Sequence, residues 1–167
     1  ATTSNGVTYT TRPFAGNGVG VTHAGGANWA ALLNTGAVVL SADNGATWGS
    51  RVATGLTAYS VTNQNGVLVA CGQSNLKPAV AISMDAGATW ITVFNGSVGT
   101  SSRLTSAVSG AGVLIALPDG ANQPLLMSVD GDDSWQVSTK ARLSTVMAYG
   151  GGRFAGVNGN TSQYAPV

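Results

Sequence analysis

The octapeptide that decides the fold is SADNGATW (residues 41–48); it recurs as SMDAGATW (residues 83–90) and, more loosely, as SVDGDDSW (residues 128–135). In each copy an apolar run enters a tight turn. Asp accepts hydrogen bonds from the amides of such a turn, and Gly adopts the positive φ that it requires. Trp then supplies apolar surface to the outgoing strand. Each copy therefore predicts the tip of a β-hairpin, with structural roles for Asp43, Gly45, Trp48, Asp85, Gly87, Trp90, Asp130 and Trp135.

The pattern S-x-D-x-G-x-T-W is similar to the Asp-box, or BNR repeat, of sialidases and many other β-propeller proteins. The resemblance extends over essentially the whole chain. It implies an all-β fold of four-stranded antiparallel blades around an axis. In that family the box joins the third and fourth strands of a blade, on the face away from the usual ligand site.

Composition also favours β structure. Of 167 residues, 44% are hydrophobic and only 8% are charged, and glycine occurs 24 times. The formal net charge is +1 and no basic cluster exists, which argues against nucleic acid or an anionic membrane as a partner. Cys71 is the single cysteine, so an intrachain disulfide and a CxxC site are excluded. Its apolar surroundings predict a buried thiol.

Strand patterns divide the single domain, residues 1–167, into four repeats. We predict blade 1 at about residues 18–52, blade 2 at about 57–94 and blade 3 at about 104–139. Blade 4 spans about 143–167, with residues 6–12 as its outer strand. Middle strands such as Val113–Leu117 are continuous apolar runs, which indicates strands buried on both faces.

The spacing of the aromatic residues predicts a closed ring. Tyr9 lies 39 residues before Trp48, which lies 42 before Trp90, which in turn lies 45 before Trp135. Residues 3–9 align with residues 42–48, with Ser4 in the place of Asp43. The N-terminal segment is thus predicted to complete a four-bladed propeller whose last blade is composite. The alternative is a repeat array completed by a neighbouring subunit.

The inventory of acidic residues argues against an enzyme. The chain has no Glu, and of its six Asp residues only Asp119 lies outside the boxes. Glycosidases need two facing carboxylates. The sialidases that the box resembles use a Tyr–Glu pair, which this chain lacks. No nucleophile motif accompanies His23, and metal ligands are too few, so no catalytic residue, metal or cofactor is predicted.

Ligand binding is the remaining prospect. Arg103 and Arg142 occupy equivalent positions before inner strands, on the face where propellers usually bind ligands. Two guanidinium groups there would hold a carboxylate or sulfate. Tyr59 and Tyr149, at the ends of inner strands, would stack on a sugar. The alternatives are solvated loop arginines or contacts to a neighbouring subunit. Trp29 is either a core residue or an exposed binding aromatic.

Composition and repeat type together resemble small virion proteins of tailed bacteriophages. That resemblance implies a non-enzymatic structural, decoration or attachment protein on the virion surface. Its partners would be other virion proteins or copies of itself, and surface glycans. The alternative is a secreted or periplasmic carbohydrate-binding propeller. A minimal sialidase-like glycosidase is the least favoured hypothesis.

Overall fold

The fold is all-β. The computed structural model describes residues 1–8, 10–14, 16–120, 122–131, 134–141, 146–158 and 161–166. Strands of this part of the chain form four antiparallel sheets. Sheet 1 contains β1 (Gly18–Gly25), β2 (Asn28–Leu33), β3 (Ala37–Ser41) and β4 (Arg51–Ala53). Sheet 2 contains β5 (Thr57–Gln64), β6 (Val67–Ser74), β7 (Lys77–Ser83) and β8 (Ile91–Asn95). Sheet 3 contains β9 (Leu104–Gly110), β10 (Val113–Pro118), β11 (Pro124–Ser128) and β12 (Gln136–Ala141). Sheet 4 contains β13 (Val146–Gly150), β14 (Arg153–Asn158) and β15 (Thr161–Pro166).

Consecutive sheets pack face to face. Within each sheet the strands follow chain order. The first strand of each sheet contacts the first strand of the next, so that β1 packs on β5, β5 on β9 and β9 on β13. Among the described residues no helix is long and apolar enough to cross a membrane.

The middle strands are buried on both faces, which explains their continuous apolar sequences. In β6, Val69 and Cys71 pack toward sheet 3, in a cluster with Leu114. The alternate residue Ala70 packs toward sheet 1, in a cluster with Leu32. This follows from the two-residue period of a strand. Burial raises the pKa of the Cys71 thiol to about 12, so this thiol stays protonated at neutral pH.

A repeated set of hydrogen bonds closes the box turns. Asp43 accepts bonds from the Ser41 hydroxyl at 2.8 Å, the Thr47 amide at 2.8 Å and the Thr47 hydroxyl at 2.5 Å. Asp85 accepts the same three from Ser83 and Thr89, at 2.7, 2.9 and 2.6 Å. In the third box, the hydroxyls of Ser128 and Ser134 both donate to Asp130. These aspartates thus fasten hairpin tips.

The box tryptophans lie between sheets or against the N-terminal segment. Trp135 is buried in the cluster shared by sheets 2 and 3. Trp90 packs between sheets 1 and 2, and its indole N–H donates to the Gly87 carbonyl at 3.0 Å. Trp48 packs on Phe14, with ring centroids 5.7 Å apart. Gly87 has φ +100°, and a Cβ there would lie 2.5 Å from Leu40 of sheet 1.

Among the described residues, the N-terminal segment pairs with itself and not with sheet 4, so the composite last blade stays a prediction. Sheet 4 has three strands in the described part of the chain. Thr10 pairs instead with Thr2, at 2.8 and 2.9 Å. The intervening loop closes on itself because the Asn5 side chain accepts bonds from the amides of Val7 and Thr8, each at 2.9 Å. Asn5 therefore fills the acceptor role that the alignment assigned to Ser4; Tyr9 lies outside the described residues.

Sheets 1 and 4 mark two ends of the array. Within the described ranges, β13 packs on β9 but has no comparable contact with β1. The structure therefore does not show the contact that closure of a four-bladed ring requires.

Acid is expected to destabilise the fold through the box aspartates. Bonds from the Thr47 hydroxyl and amide lower the pKa of Asp43 to about 2, and those from Thr89 lower the pKa of Asp85 to about 2. A carboxyl whose pKa is lowered by folding stabilises the native state above its unfolded pKa of about 3.9. That contribution is lost as the pH falls through about 2. The melting temperature, followed by circular dichroism, should therefore fall steeply between about pH 4 and about pH 2.

Asp85→Asn separates this effect from general acid denaturation. The variant should melt below wild type at pH 7, because the amide replaces a charged acceptor of three hydrogen bonds. Its melting temperature should then fall less steeply with acid, since one titrating carboxyl is gone. Parallel pH profiles for variant and wild type would contradict the assignment.

Candidate ligand-binding site

Two of the predicted binding residues, Arg103 and Tyr59, lie at the opposite end of the strands from the boxes. Each box follows the third strand of its sheet, as in the turn from β7 to β8. Arg103 directly precedes β9, and Asp119 directly follows β10. Because β9 and β10 are antiparallel, the start of one and the end of the other share an edge. That edge is the end of sheet 3 away from its box.

Arg103 joins Tyr59 and Asp119 in one cluster. The guanidinium carbon of Arg103 lies 5.4 Å from the centroid of the Tyr59 ring, within the range of a cation–π contact. Arg103 Nε lies 3.5 Å from Asp119 Oδ2. The Arg103 side chain is 45% exposed and that of Asp119 is 26% exposed, so solvent reaches both groups. The structure thus brings together two predicted residues and one that was not assigned to binding.

A β-bulge positions Tyr59. Ala58 pairs with Gly72 and Ser60 pairs with Cys71, which leaves Tyr59 as the extra residue of β5. Such bulges re-aim side chains at the edges of sheets. A Cβ at Gly72 would lie 2.1 Å from the carbonyl oxygen of Thr57, so only glycine allows this close approach of the two strands.

Hydrogen bonds between two loops position Arg103 and Asp119. The Asp119 amide donates to the Arg103 carbonyl at 3.0 Å. The Ser101 hydroxyl donates to the Asp119 carbonyl at 2.7 Å, and the Ser102 amide donates to Asp119 Oδ1 at 3.2 Å. The Asp119 carboxylate and the backbone at Arg103 are therefore held in place before a ligand arrives, which favours binding.

The cluster is chemically suited to a neutral polyol. Asp119 offsets the positive charge of Arg103, which weakens the anion clamp predicted from sequence. The guanidinium retains N–H donors, the carboxylate retains acceptor capacity, and Tyr59 contributes an aromatic surface. Sugar hydroxyls both accept and donate, so they match an Arg–Asp pair. Asp119 is the only carboxylate that the structure places in the cluster. A glycosidase needs a second acid facing the first, and the described cluster does not contain one.

Tyr149 and Trp29 lie outside the cluster. Tyr149 packs on Phe154, with ring centroids 4.9 Å apart, and covers Gly110, so it fills the contact between sheets 3 and 4. Arg142 lies outside the described residues, and its pairing with Arg103 stays a prediction. Trp29 is half-buried against His23, at 5.1 Å between centroids. That pair lies at the opposite end of its strands from the cluster.

A groove of about 470 Å³ lies between sheets 1 and 2 at the same end as the cluster. Half of its lining residues are polar, namely Thr35, Thr54, Thr57, Gln73, Ser74 and Asn75. The volume is in the range of small-molecule sites. The exposed Leu76 lies at the groove with φ +59°, a strained backbone for a non-glycine residue. No group of three potential metal ligands occurs in the part of the chain that the structure describes.

Solved structures with this architecture are β-propellers. No protein-family model matches the chain, and no curated protein matches it. A chain of the structure titled "YCF48 bound to D1 peptide" is 13% identical, with a TM-score of 0.70, over 94% of this chain and 52% of that one. A chain of the nidogen/laminin complex is 10% identical, with a TM-score of 0.63, over 83% of this chain and 54% of that one. A Hadza microbial sialidase, Hz136, is 13% identical with a TM-score of 0.44, over 77% and 36% of the two chains.

These likenesses define the class of the protein by fold alone. The four sheets are those of an all-β propeller architecture. The chain spans about half the length of the first two solved structures that it resembles. At these identities the neighbours carry no information about activity or ligand.

Replacing Gly72 is expected to disturb the site and the fold together. In Gly72→Ala the new methyl group would collide with the Thr57 backbone, so we expect a loss of about 2 kcal/mol or more in the free energy of unfolding. Gly150→Ala is the matched control, because its Cβ meets nothing within 4 Å. Chemical denaturation of both variants measures the difference. Equal stability would show that the strands do not approach as described.

Proposed function

We propose that this protein is a non-enzymatic attachment module of a bacteriophage virion, and that it binds neutral surface glycans. The cluster of Arg103, Tyr59 and Asp119 is the observation that carries the binding role. The virion assignment is supported by composition: a surface with few charges is suited to packing against other virion proteins or other copies of the chain.

The proposal of a non-enzymatic role rests on the positions of the carboxylates. The sequence has no Glu. Asp43, Asp85 and Asp130 fasten turns at the far end of the strands. Asp119 contacts Arg103 and Ser102 and has no acidic neighbour in the described cluster. The Ser–Asp–Thr bonding of the turns also supports the proposal that they are Asp-boxes in the sense of that family.

A glycan array with the protein displayed multivalently tests the proposal, since single sites of this kind are weak. We expect binding to a related set of neutral saccharides. Arg103→Ala and Asp119→Asn should each weaken it roughly tenfold, the effect of losing charge-assisted hydrogen bonds. Lys77→Ala, which removes an exposed cation from outside the cluster, should leave binding unchanged.

Salt dependence separates neutral from anionic ligands. Binding of a neutral sugar should change little between about 0.05 M and about 0.5 M salt, because only charge–charge attraction is screened. A set of sulfated or carboxylated glycans whose binding collapses with salt would contradict the neutral ligand. An array without reproducible binding by the folded protein would overturn the glycan-binding role.

A secreted or periplasmic lectin is the second candidate, because the cluster needs no virion partner to form. Mass spectrometry of purified virions from the source culture distinguishes the two. Stoichiometric recovery in particles supports the virion role, whereas recovery only in the medium or periplasm supports the lectin.

A further inference from the structure

The groove between sheets 1 and 2 stays open where the link between the two sheets is short. It lies beside residues 54–56, which join β4 to β5. The corresponding link from β8 to β9 spans residues 96–103, and its Val98 is fully buried in the cluster that sheets 2 and 3 share. Gly99 of this longer link lies against Gln123, which precedes β11. The longer link therefore fills the place between sheets 2 and 3 that the shorter link leaves open between sheets 1 and 2.

The lining of the groove is chemically suited to a neutral saccharide. None of the described residues that line it has a charged side chain. Thr57, Gln73 and Asn75 have hydroxyl and amide groups that donate and accept hydrogen bonds, as sugar hydroxyls do. Leu76 offers an apolar surface to the C–H groups of a sugar ring. The groove thus combines polar groups with an apolar surface, as the cluster around Arg103 does.

Leu76 occupies a position that favours glycine. Four described hairpins have two-residue turns in which both residues have positive φ, and in three of them the second residue is glycine, namely Gly66, Gly112 and Gly152. Leu76 is the second residue of the fourth turn, with φ +59°. A residue with a Cβ is strained in this conformation, and Leu76 is 77% exposed, so burial does not offset the strain. A strained, exposed apolar residue beside a groove indicates contact with a ligand.

We propose that the groove holds further sugar units of the glycan that binds at the cluster, so that the protein recognises an extended saccharide and not a single terminal sugar. Strand β5 joins the two places, because Thr57 lines the groove and Tyr59 of the cluster lies two residues further along, within about 7 Å. Both places lie at the same end of the strands. This inference rests on the proposed glycan binding and adds the length of the ligand to it.

Titration of the isotope-labelled protein in solution, followed by NMR, measures this length without multivalent display. The probes are neutral homo-oligomers of glucose, galactose, mannose and N-acetylglucosamine, each from one to six units. A monosaccharide that binds should shift amide signals near Tyr59 and Arg103. Longer oligomers of the same sugar should also shift the signals of Gln73, Ser74 and Leu76, and should bind at least about tenfold more tightly than the monosaccharide.

Leu76→Gly separates contact with the ligand from folding. Glycine adopts the φ of this position without strain, so the variant should melt no lower than wild type. Its affinity for the longest oligomers should nevertheless fall at least about fivefold, because an apolar contact is lost. Gln73→Ala should weaken the same oligomers, since it removes a hydrogen-bonding amide. Ala111→Gly is the matched control: Ala111 has φ +50° in a turn at the opposite end of the strands, and its replacement should leave the dependence on oligomer length unchanged.

The titrations distinguish failure of this inference from failure of the proposed function. Binding that does not depend on oligomer length, with shifts confined to the surroundings of Tyr59 and Arg103, would overturn the extended ligand and leave the proposed glycan binding intact. Unchanged length dependence in Leu76→Gly and Gln73→Ala would overturn the groove as the place of the further units. If no oligomer binds the folded protein, the proposed function and this inference both fail.

Discussion

Face-to-face packing of the sheets is the interaction on which the rest of the structure depends. Leu114 of β10 packs into the core shared with sheet 2, and the next residue, Ile115, packs into the core shared with sheet 4. Burial contributes about 25 cal/mol for each Å² of apolar surface. A sheet with two apolar faces therefore gains most of its stability from its neighbours on both sides. It also leaves an apolar face wherever a neighbour is absent.

The polar box turns complement this apolar packing. A chain with 8% charged residues has few ion pairs available to fasten its hairpins. Asp43 and Asp85 instead accept short hydrogen bonds from side chains and amides of their own turns. The boxes also take part in packing between sheets, since Gly87 lies against Leu40 of the preceding sheet. The box of sheet 2 thus closes a hairpin and also contacts the sheet before it.

Structural features that repeat along the sequence could be predicted from it, whereas contacts between loops of unrelated sequence could not. Apolar runs and boxes recur in sheets 1, 2 and 3, so the all-β architecture could be predicted. The spacing of the aromatic residues alone could not test the composite blade. Regular spacing does not reveal that the Asn5 side chain accepts hydrogen bonds within its own turn, or that Thr10 pairs with Thr2. These bonds lie within the segment itself, and the spacing of the aromatic residues gives no sign of them.

The same distinction applies to the candidate site. Arg103 was recognisable because it precedes an inner strand. Asp119 becomes its partner through a backbone bond between two loops, for which the sequence has no repeated signal, although its place outside the boxes set it apart. Tyr149 was predicted to stack on a sugar, yet Gly110 leaves room for its ring inside the sheet contact. The side chain that a glycine faces is a feature of the tertiary structure.

The ligand cluster lies between two neighbouring sheets of one chain, and this position has a functional consequence. Tyr59 and Arg103 belong to sheets 2 and 3, which have neighbours within one chain, so the cluster is complete in a single copy. Two sites on one rigid surface bind a repetitive glycan more strongly than either site alone, because the second contact forms at high effective concentration. Display of several copies on one surface would therefore increase the avidity of the protein without altering the cluster itself.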